Sequence, residues 1–157
     1  MLHPSPLARL LKVLQHHVVD QALTSETKNF GVNVISNTYQ NGKGIIKCDG
    51  DIRYFADSSF SSSYTDSQRL TSVTLPRSIE RIGSDAFSGC TSLTSITLPE
   101  GLTTLGLWCF EDCTSLTSIT LPYSLTKISA RAFDGCTGLK EFKGKYAADN
   151  GRCLVRD

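Results

Sequence analysis

No uninterrupted apolar run in this chain of 157 residues approaches the roughly 18–20 residues that a membrane-spanning helix needs. Neither sign of charge is in excess. Sixteen basic and fifteen acidic residues are interspersed and leave a formal charge of +1, so there is no electrostatic case for nucleic acid or for insertion at an anionic membrane. Histidine is scarce, and His3, His16 and His17 all lie near the N-terminus, away from the serine-rich remainder. No general base is therefore set beside the many hydroxyls, and a glycine-rich phosphate cradle is missing as well. These absences read as a non-enzyme without a cofactor. Lys12, Gln15, His16, His17 and Asp20 also cut the N-terminal apolar residues into pieces too short for the core of a secretory signal. Export is not readable from this chain.

What the chain does have is repetition. LTSITLP stands at 93–99 and again at 116–122, and LTSVTLP at 70–76 differs by one methylene, at an unvarying spacing of 23 residues. Leu70, Leu93, Leu116 and Leu139 head four lines of equivalent positions. Val73, Ile96, Ile119 and Phe142 follow, then Leu75, Leu98 and Leu121, then Pro76, Pro99 and Pro122. Further along come Ile79, Leu102 and Leu125, then Ile82, Leu105 and Ile128, then Phe87, Phe110 and Phe133, with Cys90, Cys113 and Cys136 behind them. A fixed period of this length marks a solenoid or another repeat array.

Within one unit, Ile96 and Leu98 flank Thr97 and leave one side of a strand, while Ser95 and Thr97 leave the other. Pro99 lacks the N–H that a continuing ladder would use, so it ends the strand and turns the chain. A second short extended segment is expected to carry Leu102 and Leu105. The stretch with Cys109, Phe110 and Cys113 then reads as a short helical turn. One such unit cannot cover its own apolar side, but stacked units cover each other and pair their backbones at about 4.8 Å. The expected fold is an α/β repeat: a solenoid of parallel strand ladders with short helical turns, and repeats at 70–92, 93–115 and 116–138.

The unit LTSITLPEGLTTLGLWCFEDCTS resembles the leucine-rich repeat of the bacterial surface-antigen class called BspA-like, in which strand, Leu-Pro, a second apolar pair, Phe and Cys recur in register. The resemblance covers 70–138 closely. It implies a leucine-rich-repeat solenoid that is secreted or displayed on the cell surface and that binds host proteins or neighbouring cells.

Outside the clear repeats, IIKCDGDIRYFADSSF resembles a worn first rung over 45–69, with Ile46, Cys48, Ile52, Phe55 and Phe60 in the places of Val73, Leu75, Ile79, Ile82 and Phe87. Asn41-Gly42 between alternating segments predicts a β-hairpin over 31–48. In residues 6–23, Leu7, Leu10, Leu11, Leu14, Val18 and Ala22 recur at helical spacing behind Ser5-Pro6. They predict an amphipathic helix within residues 1–28, serving as a cap over the first rung or as a partner-binding helix, or belonging to a non-native start. A fourth strand begins at Leu139 and Phe142, but Leu-Pro, Phe and Cys are lost beyond it, so 139–157 is expected to be a partial rung. An uncapped last rung would be a site of self-association.

The six cysteines do not form a metal-ligand pattern, since Cys109-x3-Cys113 alone is weak. Cys90, Cys113 and Cys136 are expected to be free, inward-facing thiols that fill space between rungs. Cys109 replaces Ala86 and Ala132 and is expected to pack likewise.

Positions that differ between otherwise uniform rungs are the candidates for binding. Arg77, Glu100 and Tyr123 share one such column, and Asp85, Trp108 and Arg131 share another. Trp108, the sole tryptophan, takes a place where its neighbours are charged, so partial exposure is expected, and aromatic and arginine side chains are favoured interface anchors. A plain structural alternative is a cation–π stack of Trp108 on Arg131 that seals the solenoid's flank. Ser72, Thr74, Ser95, Thr97, Ser118 and Thr120 line the outer strand face, where hydroxyls suit a pairing ladder or a polar adhesive strip. The expected partner is a protein, on a host or a neighbouring cell.

Overall fold

The computed structural model describes residues 51–60 and 67–145, together with the backbone of three further strands. Those three are β1 (Lys12–Val18), β2 (Val34–Gln40) and β3 (Lys43–Cys48). Then follow β4 (Tyr54–Phe55), β5 (Leu70–Thr74), β6 (Arg81–Ile82), β7 (Ser95–Thr97), β8 (Thr104–Leu105), β9 (Ser118–Leu121), β10 (Lys127–Ile128) and β11 (Glu141–Gly144).

Each repeat makes one three-sided coil. On its first side lie β5, β7, β9 and β11. Val73 stands opposite Ile96 in the parallel β5–β7 pair, and Phe142 opposite Ile119 in the parallel β9–β11 pair, while β9 lies beside β7. The second side is a parallel sheet in the order β10-β8-β6-β4, with Ile82 opposite both Phe55 and Leu105. Equivalent residues of successive 23-residue units therefore sit side by side, which is what the repeated heptad requires.

The core runs along the solenoid as columns. Val73, Leu75, Ile96, Leu98, Ile119 and Leu121 are buried from the first side, and Ile79, Ile82, Leu102, Leu105 and Leu125 from the second. Phe60, Phe87, Phe110 and Phe133 stack with centroids 5.2–5.5 Å apart and ring planes within 6°. Phe142 closes the column edge-on to Phe133 at 5.4 Å. Full burial of each of these side chains contributes roughly 1.5–3 kcal/mol before ordering entropy is counted.

The third side departs from the expected helical turns. It is built of tight turns, and the one helical segment among the described residues is a 3-10 turn at Ser67–Arg69. Two left-handed residues in each coil account for this. Asp85, Trp108 and Arg131 stand at φ 54–56°, and four residues later Gly89, Asp112 and Gly135 stand at φ 54–70°. An α-helix cannot run through such residues. Backbone N–H groups between them bond from coil to coil instead, Phe87 to the Cys109 carbonyl at 2.8 Å and Phe110 to the Ala132 carbonyl at 2.9 Å.

At the N-terminal end the hairpin is present, β2 and β3 pairing antiparallel across the two residues 41–42. The helix expected over 6–23 is replaced at Lys12–Val18 by a strand; the rest of that stretch lies outside the described residues. β1 enters the first-side sheet between β3 and β5, with His16 opposite Val73 and Leu14 opposite Ile46. An open strand edge has unpaired N–H and C=O groups, and pairing them outweighs the helical spacing of the leucines. This also corrects the worn first rung. Ile52, Phe55 and Phe60 hold the expected places beside Ile79, Ile82 and Phe87, but β3, with Ile46 and Cys48, is one strand removed from β5. The partial last rung has its strand β11; residues 146–157 lie outside the described residues.

Candidate functional site

The three sides present different surfaces. On the first, the side chains of Ser72, Thr74, Ser95, Thr97, Ser118 and Thr120 are exposed or half-exposed, a uniform strip of small hydroxyls. No hydrogen bond joins these hydroxyls among the described residues. The hydroxyls that do bind coil to coil belong to other threonines. Thr94 donates to the Thr71 carbonyl at 3.0 Å, Thr103 to the Glu80 carbonyl at 2.9 Å, and Thr126 to the Thr103 carbonyl at 3.2 Å. The sequence held that signal, a threonine just ahead of β7, β8, β9 and β10, but strand propensity explains such residues equally well and hides it.

The second side and its two bounding corners vary from coil to coil, as does the third side at Ser88, Glu111 and Asp134. The corner after Leu-Pro carries Arg77, Glu100 and Tyr123, all exposed, Tyr123 at 75%. The corner into the third side carries Asp85 and Trp108, half-buried, and Arg131, exposed. Between the corners, each two-residue strand turns its first side chain outward and its second inward, fully buried in β4, β6 and β8 and partly buried in β10. Tyr54, Arg81 and Lys127 are exposed and Thr104 is half-buried. The six candidate residues therefore form two borders of one face, with the short sheet between them.

Trp108 occupies an unusual place. Its φ of 54° is the left-handed region, where a bulky side chain meets steric resistance that glycine escapes. The neighbouring coils keep the same corner geometry with Asp85 and Arg131, so the coil path imposes it. No ring or cation–π contact joins Trp108 to Arg131 among the described residues, so the sealing stack does not form. The sequence showed that this column varies; it held no sign of the backbone conformation, since glycine is absent from the column.

Beside the first corner, a groove of about 590 Å³ is lined by Thr74, Leu75, Thr97, Leu98 and Pro99, with Arg77, Glu100 and Gly101. A smaller hollow of about 290 Å³ lies at the other end of the face, at Tyr54, Asp57 and Arg81.

The cysteines are free thiols among the described residues, and they do more than fill space. Cys90 donates to the carbonyl of Phe60 at 3.1 Å, Cys113 to that of Phe87 at 3.2 Å, and Cys136 to that of Phe110 at 2.9 Å. Burial pushes the Cys90 and Cys109 thiols well above the usual thiol range, which suits structural rather than nucleophilic sulfur. Among the described residues no group of three or more His, Cys, Asp or Glu side chains is arranged to hold a metal ion, and no helix is long and apolar enough to cross a membrane.

Residues 58–148 match the family model described as BspA type leucine rich repeat region. Among solved structures, a leucine-rich repeat protein from Bacteroides capillosus is 27% identical over 69% of this chain and 70% of its own, with a TM-score of 0.54. The T. pallidum leucine-rich repeat protein is 29% identical over 58% of this chain and 51% of its own, with a TM-score of 0.44. One from Bacteroides ovatus is 20% identical over 81% of this chain and 40% of its own, also with a TM-score of 0.44. A comparison with curated proteins gives no match.

Proposed function

Because the chain belongs to the BspA-type leucine-rich repeat family, we propose that it is a non-catalytic protein-binding module of a bacterial surface or secreted protein, and that its partner docks on the short sheet and the two corners beside it. Leucine-rich repeats generally mediate contacts between proteins, and here the short sheet and its two corners carry side chains that differ from coil to coil on a uniform scaffold. The observation that carries the reading is Trp108, a bulky ring kept in a left-handed corner with no ring partner among the described residues. Backbone strain of this kind costs on the order of 1–3 kcal/mol and is retained where the surroundings impose it and function uses it.

Capture of extracellular host and bacterial proteins on an array tests the proposal, with the intact chain compared with Trp108→Asn. Asparagine tolerates the left-handed corner, and the strain it relieves works against the packing lost with the half-buried ring, so the thermal transition is expected to move little while capture is lost. Unaltered capture removes the proposed site.

Self-assembly is the second reading, and it rests on the 116–138 coil and Leu139 beyond it. Ile128, Cys136 and Leu139 are only partly buried, whereas Leu105, Cys113 and Leu116 one coil earlier are fully buried. Stacking of a second copy on that apolar end would cover them. A monomer at every concentration in light scattering is the result that contradicts it.

A further inference from the structure

Resting on that binding face, we propose that its fourth-coil end, formed by Tyr123, Lys127, Arg131 and Trp108 of the preceding coil, takes an acidic protein segment that carries an aromatic side chain. The charge on the face is unevenly placed. In the 70–92 coil Arg77 and Arg81 are balanced by Glu80 and Asp85, and Arg53 pairs with Glu80 at 3.2 Å. The 93–115 coil has one charge on this face, Glu100, at the first corner, and then Thr103, Thr104 and Trp108. The 116–138 coil places two cations there, Lys127 and Arg131, and no acid. Both are exposed, and neither has an ion-pair partner among the described residues.

The geometry keeps these groups within reach of one ligand. Lys127 stands opposite Thr104 in the β10–β8 ladder, so the fourth coil lies about 4.8 Å from the third. Arg131 is then one coil from Trp108 on the second corner. Tyr123 and Lys127 are four positions apart along the chain, as are Lys127 and Arg131. Even fully extended, each step spans no more than about 13 Å. A short extended segment can set carboxylates against both cations and lay a ring against Trp108 or Tyr123. Guanidinium and carboxylate pair bidentately, and aromatic and arginine side chains are the favoured anchors of protein interfaces. Two cations in a chain of net charge +1 are too few to neutralise a run of phosphates, so nucleic acid fits the patch poorly.

As the chain's one tryptophan, Trp108 reports on its own site. The intact protein is titrated, with Trp108 emission as the readout, against a random glutamate–tyrosine copolymer, polyglutamate, a lysine–tyrosine copolymer and duplex DNA. The glutamate–tyrosine copolymer is expected to shift the emission and to bind about tenfold tighter than polyglutamate, more weakly as salt is raised. Lys127→Glu with Arg131→Glu is expected to weaken it by about tenfold or more. Lys140→Glu with Lys143→Glu, the same charge change at and just ahead of β11 on the first side, is expected to leave it within about twofold. Equal loss in both double variants, or binding of the lysine copolymer or DNA as tight as that of the acidic one, overturns the proposal. Failure here is separable from failure of the binding face itself. Array capture that needs Trp108 but ignores the two cations overturns only the acidic partner, whereas capture indifferent to Trp108 overturns both.

Discussion

The Cys113 thiol donates to the backbone carbonyl of Phe87, one coil back, at 3.2 Å. That carbonyl also accepts the N–H of Cys90 at 3.2 Å. One oxygen thus closes the turn of its own coil and fastens the next coil to it, while the Phe87 and Phe110 rings stack at 5.2 Å in the core. Cys113→Ala removes the coil-to-coil bond and leaves a small void. It is expected to cost about 1–3 kcal/mol in urea unfolding, from the lost hydrogen bond and the lost packing together.

Alkaline pH tests the buried thiols as a group. Burial holds Cys90 and Cys109 protonated well beyond the ordinary value of 9.0, whereas the unfolded chain releases these protons near it. The folded state therefore binds more protons than the unfolded state above that value. The stability they contribute is fully present below about pH 9 and falls as pH rises, by up to about 1.4 kcal/mol per pH unit for each thiol. Urea midpoints at a series of pH values above 9 are expected to drop more steeply in the intact chain than in Cys90→Ala.

Close approach of successive coils sets a second limit. A Cβ at Gly106 would stand 2.4 Å from the Gly83 carbonyl carbon and 2.5 Å from the Ser84 nitrogen, both backbone atoms that cannot swing aside. Gly106→Ala must spread the two coils or bend the second-side sheet. It is expected to destabilise by about 1–3 kcal/mol or more in thermal unfolding. Gly101→Ala, where the tightest approach is 3.2 Å, is expected to cost less.

The sequence made much of this legible because each column of the solenoid repeats a residue type, and the apolar alternation of Ile96 and Leu98 states its own geometry. The left-handed corners were not legible. Asp85, Trp108 and Arg131 share a backbone conformation that none of their side chains announces, and Gly89 and Gly135 carry the usual signal while Asp112, between them, conceals it. The strand Lys12–Val18 was misread for another reason. Leu14 and Val18 belong to a helical period that starts at Leu7, but the edge of β5 offers backbone pairing that a pattern confined to one segment does not express. The six candidate residues were legible as two varying columns. Only the three-sided path shows that they border a single face.

Amide hydrogen exchange of the chain with and without a captured protein partner examines that face most directly. Protection is expected in segments 80–85, 103–108 and 126–131, with 71–74, 94–97 and 117–120 unchanged. Protection confined to the serine and threonine strip of the first side would contradict the assignment.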